Sequence, residues 1–263
     1  MDYVGAVSAT YFTDPFCAWC WGVEPHLRRL QVDFGDQVGL SFVMTGLAAN
    51  LQAPGRAAAL ALATLDATEA SGMPGDARVF LRDPPRSTHP AGIAVTAAGE
   101  QGDPGPYLRR LREAILLERR PMDTPDALLD AARETGGLDL DRLRLGFGSS
   151  GVLEAFGAQL ERGRLEIPAV EFCGEDGEVH GVYGFGPYEA WHSAARAVGA
   201  EPLGSEPPDP LTALMRFGSM ATAELSAVCN LPLPRVAAEL WRLALDWRVR
   251  RQGVAGGELW SVA

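Results

Sequence analysis

The chain has 263 residues, 47% of them hydrophobic, enough for a well-buried core in one large domain or two modest ones. It carries 34 acidic residues against 23 basic ones, a formal net charge of −11, and every basic residue is an arginine. An acidic balance of this size disfavours general affinity for nucleic acid or anionic membrane.

Residues 1–12 show no basic region followed by an apolar stretch, so no signal peptide is expected. The longest apolar runs, such as Ala57–Ala63, are too short to span a bilayer. A cytoplasmic location follows as an expectation. Stable disulfides are rare there, so a close cysteine pair points to redox or metal chemistry.

Val4–Phe12 is rich in β-branched and aromatic residues and reads as a buried strand, ended by the turn Thr13-Asp14-Pro15. Cys17–Phe34 has apolar residues at helical spacing and reads as one helix closed by Gly35-Asp36. Val38–Met44 reads as a second strand, completing a βαβ unit with a parallel pair. Helices are then expected at Ala57–Ala70, Pro90–Gln101, Pro106–Glu118, Pro125–Thr135 and Leu138–Phe147, each bounded by Gly, Pro or Asp. Strand character returns at Ile167–Cys173. Glu175-Asp176-Gly177 is a hairpin turn, because Asp-Gly tolerates the positive φ that tight hairpins need. Glu178–Gly184 is the second hairpin strand, Tyr188–Ala197 a helix, and proline-rich Leu203–Pro210 a linker.

Cys17-Ala18-Trp19-Cys20 follows a strand and opens a helix. There the first sulfur meets unpaired backbone N–H groups and the positive end of the helix dipole, which favour thiolate. The second cysteine lies one turn on, within reach for a disulfide. The expected chemistry is attack by Cys17 on a partner disulfide and resolution by Cys20. A zinc site needs two more ligands, and Cys173, Cys229 and the four histidines form no second pair, so no metal is expected. Ile167-Pro168 opens a strand where proline cannot donate to a ladder, and X–Pro makes a cis bond affordable.

Asp14-Pro15-Phe16-Cys17-Ala18-Trp19-Cys20-Trp21-Gly22, Ser87-Thr88-His89-Pro90-Ala91 and Leu111-Arg112-Glu113-Ala114-Ile115 together resemble DsbA-like proteins of the FrnE-like dithiol–disulfide isomerase branch. The resemblance implies an α/β, thioredoxin-like fold (residues 1–50 and 156–202) interrupted by an all-helical insertion (51–155). It also implies that Cys17 is the nucleophile, Cys20 the resolving thiol and Pro168 a cis-proline facing the substrate chain, and it likens Pro25 to the helix-kinking proline of thioredoxins. Trp19, Ile167 and Phe16 are the expected substrate-binding residues. Glu24, one turn beyond Cys20, is either a proton relay or, with more weight, a solvated or capping residue. Ala-Trp between the cysteines departs from the Pro-His of strongly oxidising members, which implies a less oxidising potential. No bound cofactor is expected beyond the redox-active disulfide, with glutathione or a dithiol reductant as the candidate co-substrate.

Residues 205–263 read as three helices and a small hairpin, which resembles a winged helix. Arg235–Arg251 holds five arginines and two acids, a net of 5 − 2 = +3, but Ser205–Ala263 has six of each and is neutral. A DNA-reading module shows a basic face. Packing on the thioredoxin-like body, a homodimer, or recruitment of a protein partner are therefore the roles expected of it. The leading function is a thiol–disulfide oxidoreductase acting on protein or small-thiol substrates. The alternative is a non-catalytic adaptor of the same fold that binds a client protein. A glutathione-dependent isomerase ranks third, because that type usually carries serine in place of the CxxC.

Overall fold

The computed structural model describes residues 7–163 and 166–263. Within them the first strand runs as β1 (Val7–Thr13); the portion expected from Val4 to residue 6 lies outside the described residues. Val7, Ala9 and Tyr11 are buried on one face of β1, and Phe12 and Thr13 are covered as well, as a central strand requires. β2 (Val38–Met44) pairs with it in parallel; β3 (Ala169–Cys173) pairs antiparallel on the other side and with β4 (Val179–Tyr183), giving the order β2-β1-β3-β4.

The single helix expected over Cys17–Phe34 is two, α1 (Ala18–Gly22) and α2 (Glu24–Asp33), broken at Val23. Pro25 is the reason. It has no N–H for the Trp21 carbonyl and is tolerated only in a first turn; the Trp21 carbonyl accepts from Val23 instead. Leu27, Leu30 and Phe34 then pack with Tyr11, Phe172 and Trp191 on one face of the sheet.

The insertion comprises α3 (Arg56–Ser71), α4 (Arg78–Arg82), α5 (His89–Gly99), α6 (Gly105–Leu116), α7 (Pro125–Thr135), α8 (Leu140–Gly146) and α9 (Ser150–Arg162). Phe80, Tyr107, Leu111, Leu128 and Phe156 are among its core residues. α10 (Tyr188–Ala197) returns to the sheet. The C-terminal unit follows: α11 (Pro210–Phe217), β5 (Met220–Ala221), α12 (Thr222–Cys229), α13 (Leu233–Leu245), β6 (Val249–Val254) and β7 (Gly257–Val262), with sheet order β5-β7-β6. The unit is thus the three helices and hairpin expected, with the short β5 added to the sheet. It packs on the body: Val32 of α2 lies in its core, Leu259 of β7 lies in the core of the insertion, and Arg29 donates to the Ala227 carbonyl at 3.0 Å.

Candidate functional site

Asp14 organises the approach to the cysteines. Its carboxylate accepts the Phe16 N–H (2.8 Å), the Leu47 N–H (2.8 Å) and the Thr88 hydroxyl (3.1 Å), tying the turn before α1 to the loop after β2 and the start of α5. The residue is fully buried, and burial pushes its carboxyl up to about 6, more than those donors draw it back.

Folded Asp14 thus holds its proton more tightly than the unfolded chain does. The stability it adds is full below about pH 3.8, declines as pH rises, and is gone above about pH 6. His26, packed between Tyr188 and Trp191, acts in the opposite sense. Burial lowers it from 6.5 to about 4, so its contribution is full above 6.5 and is lost as pH falls through 4. Asp14→Asn should therefore unmask acid lability, removing about 2 kcal/mol of offset between roughly pH 7 and pH 4. Urea midpoints across that range measure it; parallel profiles for the two proteins would contradict the assignment.

Cys17 is the N-cap of α1. Its extended backbone (φ −78°, ψ 107°) lets Sγ accept the Cys20 N–H at 3.1 Å. That donor was expected to make a thiolate, but the sulfur is not at a wet helix mouth. Cys17 is 4% exposed and Cys20 is fully buried. Burial pushes the Cys17 thiol well up, and the adjoining Cys20 sulfur and Asp14 add to the rise. One N–H donor does not replace the lost water. Cys20, though also desolvated, is brought down by its contact with Cys17 and by the Arg112 guanidinium. Desolvation thus opposes a thiolate at Cys17, and the Arg112 guanidinium is the charge that favours one at Cys20.

Glu24 is neither solvated nor a free relay. Burial opposes its ionisation, but Arg112 and Arg109 outweigh it and hold the carboxyl below its usual range. Arg112, fully buried, pairs with Glu24, bonds the Thr13 hydroxyl and stands 5.9 Å from the Tyr11 ring centroid. Arg109 bonds both oxygens of Glu224 (2.5 and 2.9 Å), Glu113 at 2.8 Å and Glu24 at 3.4 Å, and lies over the Trp21 ring at 4.4 Å. Glu224, also fully buried, accepts the Ala221 N–H at 2.7 Å. One charge network therefore joins α2, α6 and α12, one element from each unit. The sequence reading missed Asp14, Arg109 and Glu224 as parts of this site.

Of the expected substrate-facing residues, Phe16 is buried in the core against Phe80, which removes it from any docking surface. Trp19 is half-buried and packs on the exposed Phe185 at 5.1 Å between ring centroids, while Trp21 is core. The Ile167-Pro168 peptide is cis, and Ile167 packs against the apolar cluster that contains Cys17 and Cys20. Among the described residues no group of three or more His, Cys, Asp or Glu is arranged to hold a metal ion, and no helix is long and apolar enough to cross a membrane.

A family model for thioredoxin (Thioredoxin_5) matches residues 11–167, more than half of the chain. The chain belongs to this thioredoxin family. Solved structures agree on the fold of this family member. A putative protein disulfide isomerase from Nitrosomonas europaea superposes with a TM-score of 0.63 at 19% identity, covering 73% of this chain and 96% of its own. The cytosolic disulfide reductase DsbM from Pseudomonas aeruginosa gives 0.59 at 21%, covering 72% and 97%. Curated relatives extend further. The ClpXP adapter protein SpxH of Halalkalibacterium halodurans is 27% identical over 95% of this chain and 86% of its own length. That of Bacillus subtilis is 26% identical over 95% and 87%.

These relatives overturn the oxidoreductase expectation. Sequence relatives that run through the C-terminal unit bear an adapter name, not that of a FrnE-like isomerase, and the disulfide enzymes share the fold alone.

Proposed function

We propose that the chain is a non-catalytic adaptor that binds a client protein and delivers it to a ClpXP-type protease. The observation that carries this reading is the match to ClpXP adapter proteins over 95% of the chain, which must include most of the C-terminal unit. The burial of Cys17 supports it, because disulfide exchange needs an accessible thiolate. So does the buried Arg109–Glu224 pair, which fixes the extra unit to the body and gives an adaptor two rigidly related surfaces.

The test is protein turnover in cells. Deleting the gene should lengthen the half-life of a small set of proteins several-fold. Expression of the wild-type chain, or of a Cys17→Ser/Cys20→Ser variant, should restore turnover equally. Loss of restoration in the serine variant would return the cysteines to catalysis and defeat the proposal.

A further inference from the structure

Helix α13 has two apolar rows. Val236, Leu240 and Leu243 are buried in the core of the C-terminal unit. Leu233, Ala237, Trp241 and Leu245, four residues apart, share another face. That second face is open: Trp241 is 47% exposed and Leu245 78%. Trp241 is nonetheless fixed, edge-on to Trp260 at 5.5 Å, with the Arg251 guanidinium 5.3 Å from its ring centroid.

Trp247, two residues beyond the end of α13, is a further exposed aromatic. It is 87% exposed and has a φ of 58°. Its N–H closes the helix on the Ala244 carbonyl at 3.1 Å, and that of Arg248 on Leu243 at 2.9 Å. Glycine is the usual residue in such a left-handed position, because a side chain there is strained. The fold thus tolerates strain for a tryptophan that packs against almost nothing in the chain. Rigid, exposed Trp and Arg side chains are the residue types that dominate protein interfaces.

The local charge indicates what would cover this face. Arg235 to Arg251 carries five arginines and two acids, +3 in a chain of net −11. Arg242 is paired with Glu239 and Asp246, and Arg251 with Glu258. Arg235, Arg248 and Arg250 have no acidic partner among the described residues. An acidic protein segment would be repelled by the chain as a whole but would meet unpaired cations at the two ends of α13, Arg235 and Arg248, and on the adjoining β6, Arg250. Phosphate could pair with these arginines, but a row of leucine and tryptophan offers it nothing further and the unit as a whole is neutral, so the chemistry favours protein over nucleic acid.

We propose that the exposed row of α13, together with Trp247 just past its C-terminal end, docks an acidic amphipathic segment of the client protein; the identity of the partner as a client rests on the adaptor reading. The face itself is tested on the purified full chain with a fluorescent synthetic helix bearing leucine at every fourth position and glutamate between. Wild-type protein should bind this peptide and ignore one with lysine for glutamate. Trp247→Gly should weaken binding at least about tenfold while leaving the melting temperature unchanged or higher, since glycine relieves the strained backbone. Arg248→Glu/Arg250→Glu should also weaken it. Undiminished binding by Trp247→Gly, equal binding of both peptides, or displacement of the acidic peptide by duplex DNA would each overturn the surface assignment. So would a wild-type dimer that Trp247→Gly converts to monomer. In cells, the proteins stabilised by gene deletion should also be stabilised by Trp247→Gly, and normal turnover in that variant would overturn the client assignment. If deletion stabilises nothing, the adaptor reading fails and the client assignment with it, while the peptide titration still decides whether the surface binds acidic segments.

Discussion

Replacing Arg109 with methionine should destabilise the protein by about 3–5 kcal/mol, the cost of leaving buried charge without its counter-charge. Three carboxylates face Arg109, and Glu224 has no solvent to turn to. Methionine keeps much of the volume and the contact with Trp21, so the loss reports charge more than a void. Adding Glu224→Gln should recover part of it, because the most deeply buried unpaired carboxylate is then gone while the Ala221 N–H keeps an acceptor. Urea unfolding of the two variants measures both effects. A loss below about 1 kcal/mol for Arg109→Met would place the pair among ordinary surface salt bridges and remove the argument for a rigid junction.

Trp21→Ala should cost a comparable amount, about 3–5 kcal/mol, the range for emptying a large aromatic site in a core. Trp21, on α1, is buried against the insertion, its indole N–H donates to the Pro74 carbonyl at 2.7 Å, and its ring floors Arg109. Trp21→Phe should cost less, about 1–3 kcal/mol, mostly from the Pro74 carbonyl left without a donor. Because Trp21 and Arg109 touch, the double variant should fall short of the sum of the single losses. Strict additivity would show that the ring does not help position the guanidinium.

Much of the fold was legible because local pattern and final structure agree. β2, α7 and α10 occupy the stretches that alternation, helical spacing and boundary residues mark out. α9 was missed although Val152, Phe156 and Leu160 recur every four residues, because Gly148-Ser149-Ser150-Gly151 reads as loop. The break at Val23 required weighing Pro25 against a continuous apolar row. The site was legible only as a motif. Cys17, Cys20 and Pro168 could be located, but the burial that raises Cys17 comes from segments far along the chain. Arg109 and Arg112 stand on a helix with Arg110 between them, and nothing in the local sequence marks the first and last of the three as buried. Apart from Glu113, one turn from Arg109, their carboxylate partners lie 85, 88 and 115 residues away, and no local pattern encodes a match at that separation.

The same separations constrain how the protein is made. Arg109 leaves the ribosome long before Glu224, and until α12 arrives its guanidinium has only part of its counter-charge. The body can collapse and form its sheet during synthesis, but its centre is completed only when a segment near the far end of the chain has been delivered. A nascent chain halted before that point would hold near-native secondary structure around an unneutralised interior, the condition in which a chaperone has the longest time to engage it.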